Sequence, residues 1–407
     1  MRGEDFVGPT QGRLVPISFG DKGGRSTLAF VPADLPPAVD RDQFVGRLSD
    51  ELIEAERPLA RLATRAGTLP APTLLLRSLR RREAQQSSII EDTTATTEEL
   101  ALAGIEESAP RAEVVEVRNN VLTIEMGLGD PRPVSLNLLR DMHRTLMAGA
   151  RGQEQQPGEF RSCQVQIGGE RHRPDLAKYL PPPPGPELDS CLRAYERFLH
   201  PDATGSAPRA RFPDLIELAF NHYQFEAIHP FRDGNGRLGR AIINIHPCKS
   251  GWLKQPVLNV SASIERDREN YYERLLRVST RGEWVEWVRF FLRVVAEQSA
   301  DDLARAEALH AVREKCKARF ADESSSGQTS RLVDLVFERM GVTTSIVAQH
   351  LGVSQPTAQK HVERLRQAGF LEEITKRQWG RVYFARRLSE ILDAPDGDTS
   401  RRLAESF

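Results

Sequence analysis

The sequence predicts a mainly α-helical protein with one small β element and a separate C-terminal helical domain. Apolar residues recur at three- to four-residue steps over most of the chain between about 41 and 300, which is typical of helices that bury one face. The stretch "FRSCQVQIGG" (160–169) instead alternates and ends in two glycines, which indicates a strand or hairpin arm. The composition of "ADESSSGQTS" (321–330) indicates a linker before a stretch of different character.

Composition limits the classes of protein to consider. A chain of 407 residues is too long for one ordinary hydrophobic core, so two or three domains are expected. The net charge of −1 argues against a protein that binds nucleic acid over its whole surface. Four widely spaced cysteines without a CxxC pair disfavour a zinc ribbon or a disulfide scaffold and suit a reducing cytoplasm. With neither an apolar signal core nor a run of about 18 apolar residues, we expect a cytoplasmic protein with no membrane partner.

The individual helices and loops are predicted from the spacing of apolar residues and from the positions of glycine, proline and capping residues. Residues 1–45 are rich in glycine and proline and are predicted to be coil. Asp214 is predicted to cap the helix that leads to residue 228. Further helices are predicted from the apolar spacing at 48–62, at 72–90, at 135–147, at 265–280 and at 283–300.

The twelve residues "HPFRDGNGRLGR" (229–240) carry the strongest chemical signal. They follow one predicted helix and precede the apolar "AIINI", so they form a loop that enters a second helix. Gly234 and Gly236 allow successive backbone N–H groups to turn inward at that helix N-terminus, which is an arrangement that binds anions.

The side chains of this segment complete a site for a polyphosphate. Arg237 and Arg240 share one helical face and suit phosphate oxygens, and Asp233 offers a hard oxygen ligand for Mg²⁺. His229 can take a proton from a hydroxyl. The set predicts phosphoryl or nucleotidyl transfer. The sequence contains no GxxxxGK[ST] pattern, so it is not predicted to be a P-loop protein. The alternative is a structural turn between two helices with solvated arginines. It is disfavoured because so many residues of the segment fit the chemistry of a phosphate site.

The segment resembles the signature of the Fic family, HPFxxGNGRxxR with an acid before the first glycine. The resemblance implies a helical Fic core with a small β-hairpin flap, and transfer of AMP from ATP to a Ser, Thr or Tyr hydroxyl of a target protein. It implies that His229 is the general base, that Asp233 holds Mg²⁺, and that Asn235 and the glycines hold the α- and β-phosphates. It further places Arg237 at the β-phosphate and Arg240 at the γ-phosphate.

The resemblance extends to other segments of the chain. "PGEFRSCQVQIGG" (157–169) is similar to the family's flap, which aligns the target by strand addition. Tyr272 falls at the family's adenine contact, with core packing as the alternative for Tyr271 and Tyr272. Ser279 stands where the family can carry an asparagine, which leaves the preferred nucleotide open.

"SSIIED" (87–92) resembles the family's inhibitory motif, [S/T]xxxE followed by Gly or Asn. In that reading Ser87 fills the first position, and Glu91 pairs with Arg240 where the γ-phosphate must sit. Asp92 departs from the Gly or Asn of the motif, so a different turn is expected. The alternative is an exposed glutamate at a helix end. The same glutamate could position water for removal of AMP.

Residues 331–388 resemble a winged helix-turn-helix domain, with a glycine turn at Gly352, a second helix at 354–368 and a two-stranded wing. Ten Lys and Arg stand against six Asp and Glu in 331–390, a local excess of positive charge. Binding of DNA and docking of protein both remain open. The candidate DNA-facing residues are Gln355, Thr357, Gln359, Lys360, Lys376, Arg377 and Arg381.

The predicted organisation has five parts. They are an N-terminal helical region with the inhibitory motif (1–115), the catalytic core (116–300), a helix and linker (301–330), the winged domain (331–388) and a tail (389–407). The predicted function is a Mg²⁺-dependent protein adenylyltransferase that uses ATP on a target protein or on itself and is inhibited by Glu91. The alternatives are a transcription regulator that uses the core as a nucleotide sensor, and an enzyme that removes AMP or transfers another phosphate-containing group. The resemblance also makes a homodimer a reasonable expectation.

Overall fold

A computed structural model of the chain describes residues 6, 12–19, 25–68, 72–105, 110–150, 155–170, 173–200, 211–321, 326–375 and 380–395. The prediction of a mainly α-helical fold with small β elements is confirmed. The first nine helices are α1 (Arg41–Gly46), α2 (Ser49–Thr68), α3 (Pro72–Ile89), α4 (Thr97–Leu102), α5 (Ala112–Gly129), α6 (Leu136–Leu146), α7 (Pro186–Leu199), α8 (Asp214–Ile228) and α9 (Asn235–Lys249). The later helices are α10 (Ser261–Arg266), α11 (Arg268–Arg281), α12 (Trp284–Arg319), α13 (Ser326–Arg339), α14 (Thr344–Leu351), α15 (Gln355–Gln367) and α16 (Arg386–Asp393).

Helices α8 and α9 lie at the centre of the fold. Almost every residue of α8 is buried, and α9 is buried along most of its length, because other helices surround both of them. Helix α12 packs along α2 on one side, and Trp287 of α12 donates its indole N–H to the carbonyl of Ala219 in α8 at 2.9 Å. The loop between the two central helices is therefore held by the core.

The prediction for residues 1–45 is wrong in part. A β-hairpin is formed by β1 (Gly12–Phe19) and β2 (Arg25–Pro32), and α1 follows it. Glycine and proline content suggested coil, but the turn residues flank two eight-residue stretches with β-branched and aromatic side chains. The hairpin is tied to the core where Phe30 N–H donates to the carbonyl of Leu180 at 2.8 Å.

Two other local predictions also need correction. Residues 160–169 do not form a regular strand, and their β pairing consists of one antiparallel bridge between Ile167 and Tyr179. Asp214 is the first residue of α8 rather than its cap, since Pro213 takes the cap position without a side-chain hydrogen bond. The proline fixes the entry to the helix, so a capping side chain is not required.

The C-terminal unit (residues 326–394) is built from α13–α16 and a small sheet. The strands β3 (Gly341–Thr343), β4 (Glu372–Glu373) and β5 (Val382–Phe384) pair in the order β3-β5-β4. Thr343 caps α14, and Gly352 ends it in left-handed backbone with φ of 69° before α15 begins. Helix α13 already starts at Ser326, within the predicted linker, and α16 extends to Asp393, within the predicted tail.

Buried arginines join the C-terminal unit to the rest of the chain. Arg305 of α12 donates to the carbonyls of Leu392 at 3.0 Å and Ala394 at 2.6 Å, at the end of α16. Arg82 of α3 donates to the same Leu392 carbonyl at 2.8 Å. Carbonyls at a helix C-terminus have no intrahelical donor, so these guanidiniums satisfy groups that burial would otherwise leave without partners. Helix α3 is therefore held directly by the C-terminal unit.

Candidate functional site

The loop between α8 and α9 begins and ends in left-handed backbone. His229 closes α8 with φ of 49°, and Gly234 precedes α9 with φ of 74°. A non-glycine residue in this conformation is uncommon and is held by its surroundings. Here the surroundings include Arg161, which donates to the His229 carbonyl at 2.8 Å and the Pro182 carbonyl at 2.6 Å. The backbone N–H of Arg161 also donates to Pro230.

The side chain of Asn235 closes the loop from inside. Its Nδ2 donates to the carbonyl of Phe231, and its Oδ1 accepts from the N–H of Phe231, both at 2.9 Å. The side-chain amide is thus used within the loop. What the residue offers an anion is its backbone N–H in the first turn of α9, where such groups lack intrahelical partners.

His143 of α6 supports the same loop. Its ring stacks on Phe231 with centroids 3.9 Å apart, and its Nδ1 accepts from the N–H of Gly158 at 2.8 Å. The other ring nitrogen therefore carries the proton and donates to the carbonyl of Asp233 at 3.0 Å. Burial lowers the pKa of His143 to about 4, which keeps this tautomer neutral.

Arg161 and His143 were both missed by the sequence prediction. Their contacts with the loop join residues 68 and 90 positions apart in the chain. No local spacing signals such pairs, and only the flap resemblance pointed to the neighbourhood of Arg161.

Glu91 and Arg240 form an ion pair at the start of α9. Arg240 NH2 donates to Glu91 Oε1 at 2.9 Å, and the same nitrogen donates to the Ser87 carbonyl at 2.8 Å. Arg240 Nε donates to Ser87 Oγ at 2.9 Å. A Cβ on Gly236 would overlap Glu91 Oε1, so the glycine is what lets the carboxylate approach the helix N-terminus. The structure therefore brings together the two segments that the sequence predicted to meet.

The charges at this ion pair reinforce each other. Burial of Glu91 opposes its ionisation, but Arg240, Arg237 and His229 outweigh burial, so the pKa of Glu91 falls below its usual range. Burial lowers the pKa of Arg240, but Glu91 together with Tyr271, Tyr272 and Glu226 outweighs burial, so the pKa of Arg240 is raised. Arg240 NH1 is buried without a hydrogen-bond acceptor, so the guanidinium keeps one donor nitrogen unused.

Asp92 takes the position where the family motif has Gly or Asn. Its backbone is left-handed with φ of 58°, a conformation that Asp tolerates better than most residues. The carboxylate of Asp92 pairs with Arg268 at 2.7 Å and 3.1 Å. The expectation of a different turn is therefore not met at the residue itself, since the backbone conformation is one that Gly and Asn also favour.

His229 lies beside this ion pair at the edge of a cavity. Burial, with the positive charge of Arg161, lowers the pKa of His229 to about 4, so its imidazole is neutral at neutral pH. Its Nδ1 is buried without a hydrogen-bond partner. Glu226, one helical turn earlier, also lines the cavity, and burial raises the pKa of its carboxyl to about 8.

The cavity has a volume of about 480 Å³ and extends from Glu91 and Arg240 to α11. Tyr272 lines it with 39% of the residue exposed, beside Arg268, whose guanidinium lies 5.9 Å from the ring centroid. Tyr271 is buried, and its hydroxyl bonds His222 at 2.8 Å. The hydroxyl of Ser279 pairs with that of Tyr223 at 2.8 Å. Aromatic and aliphatic walls next to charged groups suit a nucleotide-sized ligand.

Two other charged residues of the motif, Arg237 and Asp233, differ in exposure. Arg237 is buried and lies 3.4 Å from Glu116 Oε2. Asp233 is exposed, and its Oδ1 accepts from the N–H of Gly234 at 2.6 Å. Over the described residues no group of three or more His, Cys, Asp or Glu side chains could hold a metal ion without a ligand's help.

In the C-terminal unit the predicted DNA-facing residues have mixed surroundings. Gln355 and Lys360 are exposed on α15. Gln359 instead accepts from the Thr344 hydroxyl at 2.7 Å and donates to the Tyr383 hydroxyl at 3.2 Å, so it does not face outward. The hydroxyl of Thr357 bonds that of Ser354 at 2.9 Å, and Arg381 lies 3.5 Å from Glu373. Lys376 and Arg377 lie outside the described residues.

No helix in the described part of the chain combines the length and apolar character that a membrane crossing requires.

Comparisons with known proteins give one consistent result. A model of the Fic/DOC family N-terminal region matches residues 49–129, and a Fic/DOC family model matches residues 133–246. Protein adenylyltransferase Fic of Drosophila persimilis is 31% identical over 133 residues, which are 33% of this chain and 22% of that protein. The protein of the same name from Culex quinquefasciatus is 29% identical over 157 residues, 39% of this chain and 27% of that protein. The chain thus spans roughly a quarter of the length of these relatives.

The fold is shared with solved structures of the family. A Fic family protein from Desulfovibrio desulfuricans G20 has a TM-score of 0.51 and 23% identity, with 86% of this chain and 98% of that chain covered. At this identity the likeness establishes the fold. The two family models match side by side over 49–246, and these residues include both Glu91 and the 229–240 motif, so this part of the chain carries the N-terminal region and the Fic domain of the Fic/DOC family.

Proposed function

We propose that the chain is a protein adenylyltransferase that transfers AMP from ATP to a hydroxyl of a target protein or of itself, and that Glu91 inhibits it. The observation that supports this most directly is the pairing of Glu91 with Arg240 over Gly236, at the helix N-terminus where an anion would bind. The relatives named protein adenylyltransferase Fic support the same chemistry over the region they share with this chain.

In the proposed reaction His229 acts on the target hydroxyl. Its neutral imidazole takes the hydroxyl proton while the oxygen attacks the α-phosphorus of ATP. The bond from the α-phosphorus to the oxygen that bridges to the β-phosphate breaks, and pyrophosphate leaves. The new bond joins the target oxygen to AMP. Arg161 and His143 fix the loop that carries His229, so the base is held in place before ATP arrives.

The phosphates would occupy the N-terminus of α9. Backbone N–H groups of Asn235 and Gly236 point to this end, and Arg237 and Arg240 add positive charge. Arg240 carries an unused donor nitrogen, which supports a role in binding the γ-phosphate. With Glu91 in place, the γ-phosphate and the carboxylate compete for the same guanidinium, so ATP would bind in an unproductive position.

Mg²⁺ is the metal that this arrangement fits. Asp233 is an exposed carboxylate at the phosphate end of the site, and Mg²⁺ in such sites is held by one or two carboxylates together with substrate phosphates. Asp233 would be its protein ligand. The ion would neutralise charge on the phosphates.

The nucleoside would lie in the cavity along α11. Tyr272 supplies an exposed ring for the base, and Arg268 beside it is already engaged by Asp92. The hydroxyls of Tyr223 and Ser279 pair with each other at the cavity wall, which supports shape rather than a direct hydrogen bond as the basis of base selection.

The target segment would bind at the flap. Gln166, Ile167, Gly168 and Lys178 line the cavity on the side of His229, and the bridge between Ile167 and Tyr179 holds this turn next to the site. A target chain that adds to this turn by backbone hydrogen bonds would bring its hydroxyl to His229.

The C-terminal unit could bind DNA independently of the proposed enzyme activity. Gln355 and Lys360 are the exposed candidates for contact with DNA on α15, whereas Gln359 and Thr357 are partly exposed and bond neighbouring side chains of the same unit. Binding of DNA by this unit would add a location or a regulator to the enzyme and would not replace its chemistry.

The test is an incubation of the wild-type chain, Glu91→Gly and Glu91→Gly with His229→Ala with Mg²⁺ and ATP, in the presence of cell extract, followed by intact mass and by detection of α-phosphate label. We expect AMP on the chain or on an extract protein with Glu91→Gly, at least about tenfold less with the wild type, and none with the double variant. Glu98→Gly, at an exposed pair outside the site, is the matched control and should behave as the wild type.

Two results would contradict the proposal. Label from the γ-phosphate but not the α-phosphate would indicate phosphate transfer instead. Absence of label from all variants, together with retention of 331–394 on DNA, would favour a transcription regulator with a nucleotide-sensing core.

A further inference from the structure

A second cavity, of about 210 Å³, lies between α3 and the C-terminal unit. Residues of α3, α4 and α5 line one side, and Arg339, Met340, Gly341 and Leu392 line the other. It is separate from the nucleotide cavity, with which it shares no lining residue. The cavity therefore lies where the two parts of the molecule meet.

Positive charge in this cavity is not balanced. Among the described residues, four arginines line it, and Glu125 is the one acidic lining residue. Arg82 is engaged by the Leu392 carbonyl, and Glu125 lies 3.4 Å from Arg77 rather than from a lining arginine. Within the part of the chain that the structure describes, the remaining three make no hydrogen bond or ion pair; these are Arg81, Arg118 and Arg339.

Other arginines between the C-terminal unit and the rest of the chain have acidic or carbonyl partners. Arg77 pairs with Glu338, Arg305 binds the end of α16, and Arg386 pairs with Glu98. Burial lowers the pKa of Arg81; nearby Glu125 opposes this, and the positive charges of Arg77 and Arg339 add to it. Glu338 also opposes the lowering, so Arg81 has charged neighbours of both signs, and in the described part of the chain it makes no hydrogen bond or ion pair with them.

Most of the remaining lining is apolar, and its polar members are Ser78, Gln85 and Thr97. Leu100, Ile105, Val121 and Met340 form the wall, and Leu122 contributes a side of the cavity with 43% of the residue exposed. Guanidiniums bind phosphate and carboxylate groups in a fixed planar geometry, and an apolar wall holds an apolar body. We propose that this cavity is a binding site for a small organic anion, with its charged group on Arg81, Arg118 and Arg339 and its apolar part against Leu122 and Met340.

Such a ligand would contact the helix that leads to Glu91. Arg81 and Glu91 are ten residues apart, which is about 15 Å along a helix. The ligand would bind α3 and the C-terminal unit together and so bias the position of Glu91. This consequence rests on the proposed function, whereas the binding site does not.

The experiment measures binding to the full-length wild-type chain by ¹⁹F NMR, with 4-fluorophenyl phosphate as the probe and 4-fluorobenzyl alcohol as its neutral counterpart. We expect saturable binding of the phosphate and at least about tenfold weaker binding of the alcohol. Arg118→Gln and Arg339→Gln should each weaken binding of 4-fluorophenyl phosphate by about tenfold, as the loss of a charge-assisted hydrogen bond predicts. Glu125→Gln should strengthen binding of the phosphate probe, since the substitution removes a negative charge from the cavity wall.

Controls separate this site from the nucleotide site. Arg144→Gln removes an exposed arginine of α6 that pairs with Asp141 and should leave binding unchanged. Saturating ATP should not displace the probe. Displacement by ATP, or unchanged binding in both Arg118→Gln and Arg339→Gln, would overturn the proposal and assign the probe elsewhere.

The acidic residues Glu106 and Glu107 follow the cavity-lining Ile105 and lie outside the described residues. Probe binding that occurs only in a Glu106→Gln, Glu107→Gln variant would show that the intact chain fills the cavity itself, and would also overturn the proposal. These readouts do not depend on transfer of AMP, so failure of the binding site and failure of the proposed function are distinguishable.

Discussion

Asp92 and Arg268 hold the turn that carries Glu91. The carboxylate of Asp92 bonds two nitrogens of Arg268, and its backbone remains left-handed with φ of 58°. Glu91, which pairs with Arg240, immediately precedes Asp92, so this ion pair is supported both by a local conformation and by a link to α11.

The first prediction concerns that conformation. Asp92→Val should cost about 1–2 kcal/mol, because a β-branched residue is strained in left-handed backbone. Relief of the strain would move Glu91 from Arg240, so basal transfer of AMP should rise several-fold. Asp92→Asn removes the charge but tolerates the backbone and should raise transfer less. Basal labelling rates of the two variants decide the question, and equal rates would show that only the ion pair with Arg268 matters.

The second prediction concerns His229. His229→Ala in a Glu91→Gly background should lower the rate of transfer by about 10²-fold to 10⁴-fold, as expected for loss of a general base. Nucleotide affinity should change little, since phosphate contacts come from other groups. Because the pKa of His229 is about 4, its base form predominates above roughly pH 5.5, and the rate should show no inflection near the usual histidine value of about 6.5.

Single-turnover rates between pH 5.5 and 8 test this second prediction. A clear inflection near 6.5 would mean that His229 titrates normally in the nucleotide complex. Retained transfer in His229→Ala would remove it from the base role.

The third prediction concerns Asp233. Asp233→Asn keeps an oxygen that can accept from the Gly234 N–H, so the loop should keep its shape while the negative charge is lost. Transfer should fall by at least about tenfold at low Mg²⁺ and recover in part at high Mg²⁺, since a neutral amide is a weaker ligand. A titration of the rate against Mg²⁺ measures the effect, with Asp141→Asn as a control at a partly exposed acid that pairs with Arg132 and Arg144. An unchanged Mg²⁺ dependence would contradict the assignment of Asp233.

The fourth prediction concerns acid stability and His222. This histidine is buried against Tyr271, and burial lowers its pKa to about 3. Below pH 6.5 the unfolded chain binds a proton that the folded chain excludes, so the contribution of His222 destabilises the folded state as pH falls from 6.5 toward 3. For one such group, the free energy of unfolding changes by up to about 1.4 kcal/mol per pH unit.

His222→Gln keeps a polar group near Tyr271 but does not titrate. Chemical unfolding of the two proteins at pH 7.5 and 5.5 should therefore show a smaller acid loss of stability for the variant. Parallel pH dependences would show that His222 accepts a proton in the folded state.

The site shows which information is local in the sequence. The 229–240 motif and the 87–92 segment were each recognisable from their own residues, and the structure brings them together at Arg240. Arg161 and His143 act on backbone carbonyls of the loop from distant positions in the chain, which no local pattern encodes. The direction of the Asn235 side chain was also unpredictable, because the same residue can turn outward or close the loop.

The fold was predictable to a similar degree. Long helices with regular apolar spacing were found, whereas β1–β2 was missed because its glycine- and proline-rich flanks dominated the composition. Gln359 lies on a helix that was predicted correctly, but its partners Thr344 and Tyr383 come from α14 and β5. Only the packed structure shows that its amide is used internally.

The bond between Arg82 and the Leu392 carbonyl has a consequence for synthesis of the chain. The two residues are 310 positions apart, so α3 leaves the ribosome long before α16 exists. At about 5–20 residues per second, roughly 15–60 s separate them. During that interval the catalytic core can be completed through α12 before the Leu392 carbonyl that accepts from Arg82 has been made. The nascent protein therefore passes through a period in which the cavity beside Arg240 is assembled and the helix that leads to Glu91 still lacks its contact with α16.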